Sequence, residues 1–174
     1  QDAWKEINAS AKILSILREG YCLPFSRTPT TSLPLPSQFT SLQKPEQIKV
    51  IDEEVASLLA KGAVRRVSRT SPGLVSRIFI VPKKDGGWRP IINLKWLNKT
   101  FLRAPHFRMD TAKDAAALLR PGDWCATIDL KDAYFHAPVN RRSRLFLRLG
   151  WRKKFYEFLV LPFGPSSRPS CSHS

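Results

Sequence analysis

The spacing of the apolar residues changes at Gly62, and this change limits the chain to folds that combine helices with a sheet. Before Gly62, apolar residues follow helical spacing at Ile48, Ile51, Val55, Leu58 and Leu59. This pattern predicts a helix over residues 45–61, for which Pro45 suits the first turn and Gly62 suits the end. After Gly62 the apolar residues alternate, which is typical of strands. We therefore expect an α+β fold, with an antiparallel sheet and flanking helices.

The first predicted hairpin carries a basic tip. Strands over residues 77–81 and 89–94 flank a glycine-rich segment, residues 85–87, and glycine allows the positive φ angles that hairpin turns need. The tip brings together the cations Lys83, Lys84 and Arg89. Such cations bind polyphosphates, arginine through forked hydrogen bonds and lysine as a point charge. A solvated basic hairpin without a ligand is the alternative.

A second hairpin with a basic tip is predicted nearer the end of the chain. Its strands cover residues 144–149 and 155–160, and residues 150–154 form the turn. The turn contributes the cations Arg152, Lys153 and Lys154. Together with Lys84 and Lys95, these side chains are candidates for binding the phosphates of a nucleic acid.

Two carboxylates follow a short apolar strand that is predicted over residues 126–128. Asp129 stands at the exit of this strand, and Asp132 lies three residues further on. Mg²⁺ prefers oxygen ligands and is commonly held by one or two carboxylates together with substrate phosphates. Asp129 is therefore a candidate metal ligand. The alternative is that Asp129 caps a turn and that Asp132 is solvated.

The positive charge is concentrated in the second part of the chain. Residues 1–60 carry 6 Lys and Arg against 7 Asp and Glu, whereas residues 61–174 carry 23 against 7. The net charges of the two parts are −1 and +16, within a total of +15. A cationic surface attracts polyanions through the release of counterions. The charge therefore favours a nucleic acid as partner over a cationic surface that has no specific partner.

The two ends of the chain differ in composition from its middle. An amphipathic helix is predicted over residues 4–19 with Gly20 at its end, and an arm rich in Pro, Ser and Thr follows over residues 21–44. Residues 165–174 are expected to form a disordered tail. The expected domains are therefore residues 1–44, 45–164 and 165–174.

The cysteines and the apolar runs argue against several classes of protein. Cys22, Cys125 and Cys171 are too widely spaced for a Cys-x-x-Cys metal pair, and their odd number argues against a disulfide framework. No apolar run approaches the roughly 18 residues that a membrane helix needs, and no signal-peptide pattern opens the chain. We therefore expect an intracellular protein without a membrane partner. The start at Gln1 rather than Met predicts a fragment.

Three motifs follow one another in the chain: VPKKDGGWRPIINLKWLN over residues 81–98, IDLKDAYF over 128–135, and LPFG over 161–164. Their order and spacing resemble the reverse transcriptases of retroelements. The segments around Trp4 and over residues 20–25 and 61–64 are similar to the tyrosine-recombinase (DIRS-type) retrotransposons more than to retroviruses. Over most of residues 1–164, the resemblance implies the fingers and part of the palm of an RNA-directed DNA polymerase, acting on a template-primer.

The resemblance also implies roles for individual residues around an incoming dNTP. The backbone amides of Asp132 and Ala133 face the triphosphate, and Lys83 and Arg89 hold its phosphates. Tyr134 lies under the sugar and excludes a 2′-hydroxyl, so that the product is DNA.

For the metal, the resemblance implies that Asp129 and the carbonyl of Leu130 bind Mg²⁺, while Phe163 and Gly164 flank the nucleotide and the template. Two-metal phosphoryl transfer needs more than one carboxylate, and in the family the others come from a Tyr-x-Asp-Asp hairpin further along the chain. No Asp or Glu follows Glu157 here. We therefore expect the chain as given not to polymerise DNA. A non-catalytic, basic nucleic-acid-binding module derived from a retroelement is the alternative function.

Overall fold

A computed structural model describes residues 4, 6, 8–29, 44–84, 86–103, 111–120, 122–124, 126 and 132–162. The predicted metal ligands Asp129 and Leu130, the pair Phe163 and Gly164, nearly all of the predicted strand over residues 126–128, and the predicted tail lie outside this range. In the described part of the chain, no helix is long and apolar enough to cross a membrane.

The described elements are helices and the strands of one sheet. The helices are α1 (Ala11–Glu19), α2 (Pro45–Ala60), α3 (Lys95–Thr100), α4 (Ala112–Ala116) and α5 (Arg141–Arg144), with a 3-10 helix over Ala133–His136. The strands are β1 (Val64–Val67), β2 (Val75–Pro82), β3 (Trp88–Ile92), β4 (Arg148–Trp151) and β5 (Lys154–Phe158).

Helix α2 forms where the apolar spacing predicts it and supplies one wall of the core. It starts at Pro45 and ends at Ala60, where Lys61 caps it and Gly62 takes a φ of 64°. Ile51, Val55 and Leu58 are buried against the sheet, whereas Leu59 is 42% exposed. The buried stripe is therefore narrower than the sequence pattern suggests.

The sheet contains five strands in the order β1-β5-β4-β2-β3. Three of the four neighbouring pairs are antiparallel, but β2 and β4 run parallel, with Val75 opposite Arg148. The expected α+β combination is present, but the sheet is mixed rather than purely antiparallel. Alternation of apolar residues predicts a strand but says nothing about the direction of a distant partner.

The hairpin of β2 and β3 matches its prediction, with Val81 opposite Arg89 and both Gly86 and Gly87 at positive φ. The second hairpin differs in its bounds. The first strand was predicted over residues 144–149, but β4 begins only at Arg148, and residue 144 ends α5. Asn140 caps α5 by accepting a hydrogen bond from the Arg142 amide at 3.0 Å.

The turn of the second hairpin is also tighter than predicted. Gly150 lies inside β4, opposite Phe155 of β5. Only Arg152 and Lys153 connect the strands, and both have positive φ, at 45° and 58°. Two consecutive positive φ angles are the conformation that matches the twist of a two-residue hairpin, although it usually involves Asn or Gly.

The segment around residues 20–27 is extended and lies against the body of the protein. Tyr21 pairs with Val139, and Leu23 is buried with its amide donating to Ser143 Oγ at 3.1 Å. Helix α1 precedes this segment, starts at Ala11 and is capped by the Ser10 side chain. Residues 4 and 6 are also helical, but Asn8, with a positive φ of 53°, interrupts the helix predicted over residues 4–19. The first part of the predicted arm therefore contributes to the core.

An ion triad centred on the buried Glu157 ties three strands together. Glu157 of β5 is 3% exposed and accepts hydrogen bonds from Arg65 of β1 at 2.6 and 2.9 Å. From the other side, Arg148 of β4 donates to Glu157 at 2.9 and 3.2 Å. Arg148 also donates to the carbonyls of Ser71 and Pro72. These contacts satisfy charges that burial alone would strongly destabilise.

Candidate functional site

A cleft of about 910 Å³ lies between α2 and the hairpin of β2 and β3. One wall is the hairpin, which contributes Lys83 and Arg89. The facing wall is α2, which contributes Glu53 and Glu54. The cleft therefore has a cationic side and an acidic side.

The hairpin wall is held by its own backbone. The Lys83 amide donates to the Gly87 carbonyl at 3.1 Å, and the Gly86 amide donates to the Lys83 carbonyl at 3.3 Å. Arg89 stands opposite Val81 in the ladder. The two cations that were predicted to hold phosphates thus belong to one hairpin and line one cleft.

The turn at Asp132 reaches the same cleft from a distant part of the sequence. Asp132 has a left-handed backbone, with φ of 55°, and precedes the 3-10 helix Ala133–His136. Asp132 and Phe135 line the cleft, while Tyr134 is 49% exposed. The structure therefore brings Asp132 together with Lys83 and Arg89, three of the residues predicted to surround a nucleotide.

The sequence analysis assigned no role to Lys61, although it lies at the centre of this arrangement. Its Nζ is 2.8 Å from Asp132 Oδ2 and 5.7 Å from the ring centroid of Phe135. Lys61 follows the last turn of α2, where a cation is favoured by the helix dipole. A lysine before a glycine at a helix end is explained by the helix dipole alone, so the sequence contains no signal of a second role.

A smaller recess of about 310 Å³ adjoins the cleft. It is lined by Ala63, His136 and Val160, and it shares Lys61, Asp132 and Phe135 with the cleft. These three side chains therefore form the boundary between the two cavities.

The remaining predicted cations lie elsewhere. Arg152, Lys153 and Lys154 are exposed at the turn of β4 and β5, and Arg152 donates to Asp52 Oδ2 at 2.6 Å. Lys84 is exposed at the tip of the first hairpin and is absent from the described lining of the cleft.

Lys95 lines a separate groove of about 520 Å³ beside α3. The same groove contains Arg77, Lys99 and Trp96, and Trp96 is 57% exposed. A positively charged groove with an exposed aromatic ring is a combination that suits single-stranded nucleic acid.

The predicted metal ligands Asp129 and Leu130 are not among the described residues. Elsewhere in the described ranges, no group of three or more His, Cys, Asp or Glu is placed to hold a metal ion. A carboxylate and a backbone carbonyl both supply oxygen, the donor type that Mg²⁺ prefers. In their chemistry, the two predicted ligands therefore fit this metal.

The sequence matches the reverse transcriptase (RNA-dependent DNA polymerase) family over residues 81–173, more than half of the chain. It is similar to the Tf2-3 and Tf2-7 transposon polyproteins of Schizosaccharomyces pombe, with 24% identity to each over 144 residues. Each alignment covers 83% of this chain and 10% of the relative. The chain thus spans about a tenth of the length of these curated relatives.

Solved structures show the same fold. The native prototype foamy virus protease-reverse transcriptase aligns with a TM-score of 0.60 and 18% identity, covering 94% of this chain and 22% of that one. The foamy viral protease-reverse transcriptase in complex with dsDNA aligns with a TM-score of 0.57 and 19% identity, covering 83% and 26%. The family match and the shared fold agree with the order of the three sequence motifs. The chain belongs to the reverse transcriptase (RNA-dependent DNA polymerase) family.

Proposed function

We propose that these 174 residues form the fingers and part of the palm of an RNA-directed DNA polymerase from a DIRS-type retrotransposon, and that the cleft is its nucleotide site. One observation carries this proposal: Lys83 and Arg89 share a cleft with Asp132, which lies more than 40 residues further along the chain. A cationic hairpin facing the end of the IDLKDAYF motif suits a triphosphate bound between them.

In this proposal each side of the cleft acts on a different part of the dNTP. Lys83 and Arg89 neutralise the phosphates, and the amides of Asp132 and Ala133 donate hydrogen bonds to them. Tyr134 packs under the sugar and leaves no room for a 2′-hydroxyl. Tyr134 belongs to the 3-10 helix that directly follows Asp132, and this position supports a place beside the same nucleotide.

The proposed metal is Mg²⁺, held by Asp129 and the carbonyl of Leu130, with Phe163 and Gly164 beside the nucleotide and template. When bound, a pair of such ions stabilises the attacking and leaving oxygens of phosphoryl transfer. The substrates would be dNTPs and an RNA or DNA template-primer. The double-stranded DNA bound by the foamy viral relative supports the choice of template-primer.

Nucleotide binding tests the cleft directly. We expect the purified chain to bind dTTP, and the double variant K83M/R89M to bind at least about tenfold more weakly, since two charge-assisted contacts are lost. K153M/K154M is the matched control, because it removes the same charge from exposed positions of the second hairpin turn. Isothermal titration calorimetry measures the affinity of each variant for dTTP. An equal loss of affinity in both double variants would show that the net charge of the chain alone attracts the nucleotide.

The chain as given is proposed to bind nucleotide without polymerising DNA. Asp129 is the candidate metal carboxylate, and no Asp or Glu follows Glu157. Phosphoryl transfer by two metal ions needs more than one carboxylate, so a single candidate carboxylate leaves the ions without enough ligands. A primer-extension assay with Mg²⁺ and all four dNTPs should give no product, and sustained synthesis by the purified chain would overturn this part of the proposal.

A non-catalytic nucleic-acid-binding module is the second candidate, favoured by the groove that contains Lys95, Lys99, Arg77 and Trp96. For this candidate function, we expect the chain to bind single-stranded RNA or DNA with an affinity that falls steeply as the salt concentration rises. We expect D129A to leave this affinity unchanged. It also expects a W96A variant to bind several-fold more weakly, because base stacking on an aromatic ring is lost. Unchanged binding by W96A would remove the support for this candidate.

A further inference from the structure

The ion pair between Lys61 and Asp132 stands on the boundary between the cleft and the adjoining recess. Its N–O distance is 2.8 Å, and the side chains are 42% and 30% exposed. Lys61 joins two distant segments, because it follows α2 while Asp132 precedes the 3-10 helix. The pair therefore fixes the Asp132 turn to the end of α2.

The Asp132 carboxylate is used for this contact and not for capping. An Asp at a helix N-cap usually accepts a hydrogen bond from one of the first amides of the helix. Asp132 makes no such side-chain bond to the described 3-10 helix. Lys61 is itself located by a second contact, since its ammonium lies over the Phe135 ring at 5.7 Å, a distance at which a cation is attracted to an aromatic face.

The charge of Asp132 matters because it faces a cleft that suits an anion. Glu53 also lines the cleft, but its side chain is 66% exposed and pairs with Lys49 on the surface at 3.9 Å. Water screens such an exposed carboxylate strongly. The Asp132 side chain is only 30% exposed, so water screens its charge less than that of Glu53. If no cation stood beside Asp132, its carboxylate would repel a polyphosphate more strongly than Glu53 does.

We propose that Lys61 is a positioning residue that neutralises Asp132 and pins its turn, so that a polyphosphate can bind Lys83 and Arg89 without facing an uncompensated charge at Asp132. The proposal rests on the anion-binding cleft of the proposed function. It assigns Lys61 no direct contact with the phosphate. The effect of Lys61 on anion binding should therefore depend on the presence of the Asp132 carboxylate.

Inorganic tripolyphosphate, titrated calorimetrically into the 174-residue chain at low salt without divalent metal, tests this dependence. K61M should weaken binding about three- to tenfold, because it leaves Asp132 uncompensated. K61R should bind within about twofold of wild type, since arginine keeps the charge. The double variant K61M/D132N should recover most of the lost affinity, because the repelling charge is gone.

Each other result has a definite meaning. If K61M/D132N binds as weakly as K61M, then Lys61 contacts the anion itself and the positioning role is wrong. If K61M binds like wild type, Lys61 has no role in the cleft. K49M, which removes a paired lysine from α2, and K12M, which removes an exposed cation from α1, should both stay within about twofold of wild type.

A thermal melt of each variant shows whether a loss of affinity comes from poor folding. Damage to the fold would also not be reversed by the second substitution in K61M/D132N. The proposed function fails on a different result. Equal tripolyphosphate affinity for wild type and K83M/R89M would reject the cleft as an anion site, whatever K61M does. Weak binding by K83M/R89M with normal binding by K61M would reject the Lys61 inference alone.

Discussion

Glu157 is a charged residue at a position that would usually be apolar. It is 3% exposed and lies between Arg65 and Arg148, so its two oxygens are satisfied by guanidinium groups from the neighbouring strands. The Arg148 side chain is 6% exposed, so its buried charge also needs Glu157 as a partner. A change at Glu157 leaves a buried cation without its partner.

We predict that E157Q lowers the free energy of unfolding by about 3–5 kcal/mol, as expected when one partner of a buried ion pair is removed. Urea unfolding followed by circular dichroism measures this change. E53Q, which removes the same charge from a solvent-exposed pair with Lys49, should cost no more than about 1 kcal/mol. Equal losses in the two variants would show that the triad contributes no more than a surface pair.

Asp114 reports on the start of α4. The backbone amide and then the hydroxyl of Thr111, both 2.7 Å from Asp114 Oδ2, hold the pKa of this carboxyl below its ordinary value. Because the folded pKa is lowered, the carboxylate stabilises the helix start above the unfolded pKa of about 3.9. This contribution is lost as the pH falls through the lowered folded pKa.

An NMR titration of the Asp114 carboxyl carbon should therefore give a midpoint below about 3.9. The amide signals of α4 should shift with the same midpoint, and in D114N this shift should disappear. A midpoint at or above the unfolded value would mean that the Thr111 contacts do not form in solution.

At the scale of elements, Asp52 connects α2 to the turn of the second hairpin. Trp151 Nε1 donates to Asp52 Oδ1 at 2.8 Å, and Arg152 donates to Oδ2 at 2.6 Å. The sequence analysis placed Arg152 among the candidate nucleic-acid contacts, and the structure shows that its guanidinium is paired with α2. This contact holds a turn whose two residues both have unfavourable backbone angles.

We predict that D52A lowers the free energy of unfolding by about 1–3 kcal/mol, because two donors lose an acceptor in a partly buried contact. E46Q, a change at an exposed site in the first turn of the same helix, should stay within about 0.5 kcal/mol. Chemical denaturation gives both values. In the D52A background, R152M should cause no further loss, and an additive loss would show that Arg152 acts independently of Asp52.

The sequence predicted those secondary-structure elements whose ends are set by the backbone preferences of single residues. The Gly86 and Gly87 turn and the Pro45 start of α2 each follow from backbone chemistry at those residues. The turn containing Arg152 and Lys153 was predicted, but its positive φ angles were not, because neither residue favours them and the paired strands impose the conformation. Helix α5 was not predicted because residues 141–144 contain no apolar residue and therefore show no helical spacing.

At the scale of the whole molecule, the cleft depends on contacts between distant segments. The parallel pairing of β2 with β4 and the contact of Lys61 with Asp132 join residues that are about 70 positions apart, and no local pattern encodes such pairs. The sequence motifs could therefore name Lys83, Arg89 and Asp132 individually, whereas their common cleft and the contribution of Lys61 became visible only in the structure.

An NMR titration of the ¹⁵N-labelled chain with dTTP, following backbone amide shifts, tests the nucleotide cleft most directly. We predict saturable shifts at Lys61, Lys83, Arg89 and the 3-10 helix Ala133–His136, with α1 and the Arg152–Lys153 turn unaffected. Shifts spread over the exposed cations of both hairpins, with none concentrated around the cleft, would contradict this prediction.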